Sequence, residues 1–158
     1  MDELELDRQL CFALHAASRA TTAVYRPVLD ELGLTYPQYL AMLVLWEQDG
    51  PSVSDLGQRL SLDSGTLTPL LKRLETGGLI ERRRALADER RVEIHLTAAG
   101  RALREQAVGI PEQLACASAC SPSELQTLTT RLQELRTNVL THLARDPESG
   151  DHDLVDGP

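Results

Sequence analysis

"LDSGTLTPLLKRLETGGLIERRR", residues 62 to 84, decides how this chain is read. Leu67, Leu70, Leu71 and Leu74 return at three- and four-residue spacing, which predicts a helix with one buried face over residues 63 to 76. Asp63 or Thr66 caps its start, Gly77-Gly78 stops it, and Pro69 costs little in the first turns. The positions not needed for packing are Ser64, Gly65, Thr66, Thr68, Lys72 and Arg73. Small and hydroxyl residues allow close approach to a DNA groove, a helix N-terminus favours phosphate, and Lys72 and Arg73 follow one turn later. Taken alone, the helix reads equally well as an ordinary capped amphipathic helix with a solvated face.

The next twenty residues tip the balance. After Leu79 the period changes from helix to strand: "LIERRR" (79–84) and "RVEIHL" (91–96) form a hairpin around the polar "ALADER". Arg82, Arg83, Arg84, Arg90 and Arg91 gather at the base and tip of this ribbon, where one can enter a minor groove, and Asp88 is placed to form a salt bridge with a neighbouring arginine. An arginine-rich ribbon directly after a helix-turn-helix reads as a wing. Upstream, Ser52 with Asp55 caps a short helix through Leu60, and Pro37 opens a strongly apolar helix from Tyr39 to Trp46 that closes at Asp49-Gly50. Downstream, Thr97 caps a helix running to around Gly109 or beyond, and Ser121 with Glu124 is a capping box opening another. From Leu6 to Leu32 the stripe Leu10, Leu14, Ala17, Val24, Val28 marks a long first helix, which Pro27 should bend or restart.

The expected fold is therefore mainly α with a small β-wing: a winged helix-turn-helix over residues 35–97. Helices in 1–34 and 98–145, too long for so small a core, bury their stripes against a second copy and form a dimerisation domain. Residues 146–158, acidic and rich in proline and glycine, should be disordered.

Net charge is −8, at first sight unfavourable for nucleic acid. The distribution is uneven: residues 59–101 carry nine basic and six acidic groups, while 1–58 carry three and nine, and 102–158 four and nine. The basic excess coincides with the predicted reading helix and wing, and a dimer doubles it on one surface. No run of transmembrane length occurs and "MDELELD" is unlike a basic signal start, so a cytoplasmic location without membrane contact is expected. Thiols stay reduced there. Three cysteines without CxxC or histidine spacing argue against a disulfide scaffold and a zinc site, and no cofactor is expected.

"LTYPQYLAMLVLWE" (34–47), "LSLDSGTLTPLLKRLETGGLIERRR" (60–84) and "DERRVEIHLTAAG" (88–100) resemble the MarR family of dimeric winged-helix regulators. "LDSGTLTPLLKRLE" together with "LDRQLCFALHAAS" (6–18) resembles its organic-hydroperoxide-sensing branch, of the two-cysteine type, and the likeness runs from about residue 5 to 145. That resemblance implies a peroxide-sensing role for the cysteine matching Cys11, with tyrosines matching Tyr25 and Tyr36 in contact with it. It also implies a resolving thiol in the region of Cys116 and Cys120, on the other subunit, with Cys116 the better match. The position of His15 is often tyrosine in that branch.

Helix geometry bears on these roles independently. Cys11 and Tyr25 are fourteen residues apart, on one face within about 40° but about 21 Å apart along a straight helix. They can meet only if two copies of the helix run antiparallel across a two-fold axis. His15 lies one turn from Cys11 on the same face, and Phe12 and Leu14 give apolar surroundings suited to an organic peroxide. A helix N-terminus favours the reactive thiolate, against which Asp2, Glu3, Glu5 and Asp7 work. As a residue on an apolar stripe Cys11 also reads as plain core, and Cys116 and Cys120 as small-residue packing.

The expected function is a homodimeric repressor that binds double-stranded operator DNA when reduced and dissociates when organic hydroperoxide oxidises Cys11, first to a sulfenic acid and then to an intersubunit disulfide with Cys116. The alternative is a MarR-type regulator released by a non-covalent phenolic or lipid ligand, with Cys11 inert. An enzyme is not expected: the sequence carries no metal, phosphate-loop or triad constellation.

Overall fold

The computed structural model describes residues 4–84 and 91–145. Asp88, Arg90 and the tail 146–158, each with an expected role, lie outside the described residues. The chain divides into two compact units, Met1–Leu114 and Ala115–Pro158.

In the first unit a 3-10 turn (Leu6–Arg8) precedes α1 (Leu10–Glu31), followed by α2 (Tyr36–Glu47), α3 (Val53–Leu60), α4 (Ser64–Thr76), β1 (Ile80–Arg84), β2 (Val92–Leu96) and α5 (Ala98–Ala107). α6 (Ile110–Ser118) begins in this unit and α7 (Pro122–Arg145) forms most of the second. Two expectations change. The first helix starts at Leu10 and passes through Pro27 to Glu31 without restarting. Pro27 is exposed, so its ring sits on the solvent side, where the lost backbone bond displaces no packing. The helix after the wing ends at Ala107, because Gly109 and Pro111 favour a break, and α6 then starts afresh with Pro111 in its first turn.

α2 is the hub of the first unit, in contact with α1, α3, α4, α5 and β2. It therefore buries residues all round, Gln38, Tyr39, Ala41, Met42, Val44 and Leu45, rather than along one stripe. Leu67, Leu70, Leu71 and Leu74 of α4 close the core from one side, as their spacing predicts, with Ile80, Ile94 and Leu96 from the hairpin. The turn from α3 into α4 is tight. Ser61 takes a left-handed conformation (φ 56°), the Leu62 N–H donates to the Gly57 carbonyl at 3.0 Å, and a Cβ on Gly57 would stand 3.0 Å from the Leu62 carbonyl oxygen.

β1 and β2 pair antiparallel from Ile80↔Leu96 to Arg84↔Val92. The segment before α3 adds a third rung. Ser52 bridges Glu93, the Ile94 N–H donates to the Pro51 carbonyl (2.9 Å) and the Gly50 N–H to the Ile94 carbonyl (3.1 Å). The wing is thus stitched to the start of α3 as well as following α4 in the chain.

Caps account for the helix starts. Ser52 and Asp55 form a reciprocal box on α3, Asp63 accepts from the Thr66 N–H (2.9 Å), Thr97 accepts from the Gly100 N–H (3.0 Å), and Ser121 pairs with Glu124. Three of these partners are carboxylates held below their usual range. Asp55 is held there by the Ser52 hydroxyl and then Arg91, Asp63 by the Thr66 N–H and then its hydroxyl, and Glu124 by the Ser121 hydroxyl and then its N–H. A carboxyl whose folded pKa is depressed contributes stability above its unfolded value, here 3.8 for aspartate and 4.5 for glutamate, and loses it as pH falls through the folded value. The urea midpoint is therefore expected to hold between about pH 5 and 7 and to fall below about pH 4. Asp63→Asn, which keeps a capping oxygen without the charge, should flatten that fall.

Among the described residues no helix is long and apolar enough to cross a membrane.

Candidate functional site

On α4, Ser64, Gly65, Thr66, Thr68, Lys72 and Arg73 are all exposed on the face opposite the leucines. The helix N-terminus differs from the bare anion site that the sequence suggests. The Asp63 carboxylate takes the Thr66 N–H and also its hydroxyl (3.0 Å), so that end already carries an anion. Ser64 and Thr68 hydroxyls and the bare backbone at Gly65 remain as the small, close-approach surface, with Lys72 and Arg73 beyond them.

The wing arginines have distinct surroundings. Arg82 reaches Glu75 of α4 (3.4 Å) and Arg83 pairs with Glu81 of its own strand. Arg91 donates to Asp55 of α3 at 2.6 Å. Arg84 is exposed and pairs with no carboxylate among the described residues, which leaves its guanidinium available to a phosphate or groove. Neither Asp55 nor Glu75 is among the expected site residues: both pairings are long-range in sequence or cross from helix to strand, and no local pattern announces them.

Cys11 is exposed, the second residue of α1, on a helix end whose cap residue Gln9 makes no side-chain cap bond. The first turn of α1 holds no acidic residue, since Asp7 belongs to the separate 3-10 turn. Leu6, Leu10 and Phe12 around it are exposed, as is His15. Tyr25 and Tyr36 lie elsewhere in the fold. Their rings stack at 5.7 Å between centroids and 10° between planes, and α1 is unbroken between Cys11 and Tyr25, a rise of about 21 Å. No ring contact joins Phe12 or His15 to them among the described residues.

Tyr39, absent from the residues that the sequence singles out, completes this group. Its ring is 6.3 Å from Tyr25 and 6.4 Å from Tyr36, and meets Trp46 edge-on at 6.4 Å. The i, i+3 spacing of Tyr36 and Tyr39 in "YPQY" is the signal that could have found it. Burial, then the neighbouring phenols, raises the pKa of Tyr25 and Tyr39, so both stay neutral hydrogen-bond donors at physiological pH. Next to this cluster a groove of about 530 Å³ opens between α1 and the start of α2, lined among others by Arg19, Thr22, Arg26, Leu29 and Tyr36.

In the second unit Cys116 is exposed near the end of α6, and Cys120, half-buried after it, donates its thiol toward the Ser118 carbonyl at 3.5 Å. All three cysteines are free thiols, and among the described residues no group of His, Cys, Asp or Glu is arranged to hold a metal ion.

A helix-turn-helix, a two-stranded wing on the core of the same unit and an exposed polar face on the second helix define a winged-helix transcriptional regulator. The family described as "Transcriptional regulator SarA/Rot" matches residues 23–107. The chain belongs to this family of MarR-like winged-helix regulators. It is 50% identical, over 85% of its length and 91% of the relative's, to the "Organic hydroperoxide resistance transcriptional regulator" of Bacillus subtilis. Among solved structures it resembles AbfR, known from Staphylococcus epidermidis, in two states. The reduced form bound to DNA has TM-score 0.70, 34% identity and coverage of 89% of this chain and 98% of that one. The disulfide form has TM-score 0.59, 38% identity and coverage of 82% and 91%.

Proposed function

We propose that this protein is a homodimeric repressor that binds operator DNA while Cys11 is reduced and releases it when an organic hydroperoxide oxidises that thiol. The observation that carries this reading is an exposed cysteine in the first turn of a helix with no side-chain cap and no acidic residue in that turn. The relative named for organic hydroperoxide resistance supports the class of oxidant, and AbfR, solved with DNA in reduced form and with a disulfide, supports the switch. In the first step the Cys11 thiolate attacks the peroxide O–O bond. Sulfur takes the terminal oxygen as a sulfenic acid, losing two electrons, and the alkoxide leaves as the alcohol after protonation. In the second, a thiol of the partner subunit, Cys116 before Cys120, displaces hydroxide as water and forms a disulfide.

Dimerisation is supported by apolar surface that one chain leaves open. Leu6 and Leu10 at the N-terminus are 58% and 57% exposed, and Leu128, Leu132, Val139, Leu140 and Leu143 form an exposed stripe on α7, which buries no residue of its own. Two copies of α1 antiparallel across a two-fold axis carry Cys11 of one to the Tyr25, Tyr36 and Tyr39 cluster of the other, where phenolic hydroxyls donate to the sulfur anion. On the DNA side the reading assigns Ser64, Gly65, Thr68, Lys72, Arg73 and Arg84 to the duplex. The test is fluorescence anisotropy on a selected duplex before and after cumene hydroperoxide, with non-reducing gels of the same samples. A cross-linked dimer appearing as binding disappears is the expected result, and loss of binding with no modified thiol overturns it.

One observation favours a second reading. The groove beside Tyr36, lined by Arg19, Arg26, Asp30 and Leu29 among others, has the size for a phenolic or lipid ligand, whose binding would release DNA with Cys11 inert.

A further inference from the structure

We propose that Arg91 is a positioning residue, fixing the wing against α3 through Asp55, and is not itself a phosphate ligand. The inference rests on the reading that this chain binds duplex DNA and goes on to say which arginines touch it. Arg91 and Asp55 are 36 residues apart in sequence, and Nη2 of one lies 2.6 Å from Oδ2 of the other. That same oxygen accepts the Ser52 N–H (3.1 Å) and the Ser52 hydroxyl (2.7 Å), so one carboxylate joins the N-cap of α3 to the residue that opens the returning wing strand. Ser52 is buried at 5% exposure and bridges Glu93, which holds the carboxylate's base in place. On the outgoing strand, Arg82 makes the matching tie to Glu75 of α4. The wing is therefore tethered to both helices of the helix-turn-helix, by Arg82 midway along one strand and by Arg91 beside the Arg84–Val92 pair on the other.

Magnitude says what these tethers are for. Half-exposed ion pairs contribute little to folding stability, and the core beneath is already closed by Ile80, Ile94 and Leu96. Geometry is where they act. Among the described residues no other side chain of the hairpin ties it to α3 or α4, and a small rotation about its Ile80–Leu96 end displaces the Arg84–Val92 end most. An arginine whose guanidinium is committed to a fixed carboxylate sets that rotation, while Arg84, unpaired with any carboxylate among the described residues, reaches the duplex.

The dependence of affinity on salt separates the two roles, because each phosphate neutralised contributes about 0.9 to the slope of log K against log salt concentration. The probe is a duplex of about 30 base pairs selected by the intact protein from a random-sequence pool, titrated by anisotropy from about 50 to about 300 mM KCl. Arg91→Ala is expected to weaken binding about fivefold at every salt concentration with the slope unchanged. Asp55→Asn should weaken it similarly, and the double variant no more than either alone. Arg84→Ala should lower the slope by about 1.8, two phosphates for a dimer. Arg91→Lys, which keeps the charge but not the planar fork, should behave like Arg91→Ala, and thermal unfolding of each variant shows that the fold persists. A slope reduced by about 1.8 in Arg91→Ala, or unchanged or tighter binding in Asp55→Asn, overturns the assignment while leaving DNA binding intact. Failure of the intact protein to select any duplex overturns the DNA-binding reading itself.

Discussion

Gly100→Ala is expected to cost about 3 kcal/mol of stability and to lower the melting temperature by about 6 to 12 °C, although alanine is the better helix former. Gly100 is the third residue of α5, and a methyl group there would land on the carbonyl oxygen of Leu79 and 3.2 Å from Leu96 Cδ2. That carbonyl is not free to swing away, since it accepts the Thr97 N–H at 3.1 Å at the point where the wing's first strand begins. The Gly100 carbonyl is held in turn by the Trp46 indole N–H at 2.8 Å, which pins α5 to α2. Helix propensity favours alanine by about 1 kcal/mol, whereas forcing a methyl group against fixed backbone costs about 1 to 3 kcal/mol or more and loosens the indole bond as well. The clash wins. Differential scanning fluorimetry checks the shift, and because Trp46 is the chain's one tryptophan, its emission reports the same joint directly. An unchanged melting temperature would show that Leu79 and α5 can part freely.

Those contacts also show which parts of the molecule are legible in its sequence. Where the signal is local, sequence and structure agree. Asp63, Ser52 with Asp55, Thr97, and Ser121 with Glu124 each cap a helix through partners three residues away, and the change of period after Leu79 marks the wing. The leucine spacing of α4 fixes which face is buried and so which residues point outward. What is not legible depends on distant chain. Arg91 finds Asp55 across 36 residues, and Trp46 finds Gly100 across 54, so neither pairing has a sequence period to betray it. The break between α5 and α6 is blurred because Gly109 and Pro111 read equally as a weak spot in one long helix. Cys11 is the most ambiguous. Its neighbours Leu10 and Leu14 belong to an apolar stripe, which suggests a core position, yet in the single chain the thiol is exposed because nothing within its own unit covers that end of α1.

Cys11→Ser is expected to bind the selected duplex within about twofold of the intact protein and to keep binding it in cumene hydroperoxide, where the intact protein weakens by about 50-fold. The two halves rest on different physics. Serine replaces an exposed thiol with an atom of similar size, a change that moves stability by less than about 0.5 kcal/mol, so the reduced-state interface should survive. The hydroxyl, however, cannot form a sulfenic acid, so neither the oxygen transfer nor the later disulfide can occur. A change of about 50-fold corresponds to about 2.3 kcal/mol of coupling between thiol and duplex, within the range that two-state regulators ordinarily show. In the proposed dimer, oxidation of Cys11, alone or through a disulfide with a thiol of the partner, shifts the α1 surfaces that join the two reading helices. Cys116→Ser and Cys120→Ser then divide the second step. The variant that loses the cross-linked dimer on a non-reducing gel identifies the resolving thiol, and loss in neither points to the sulfenic acid alone as the signal. If Cys11→Ser still releases DNA as the intact protein does, the thiol is a bystander, and the groove between Arg19, Arg26 and Tyr36 becomes the place where the signal is received.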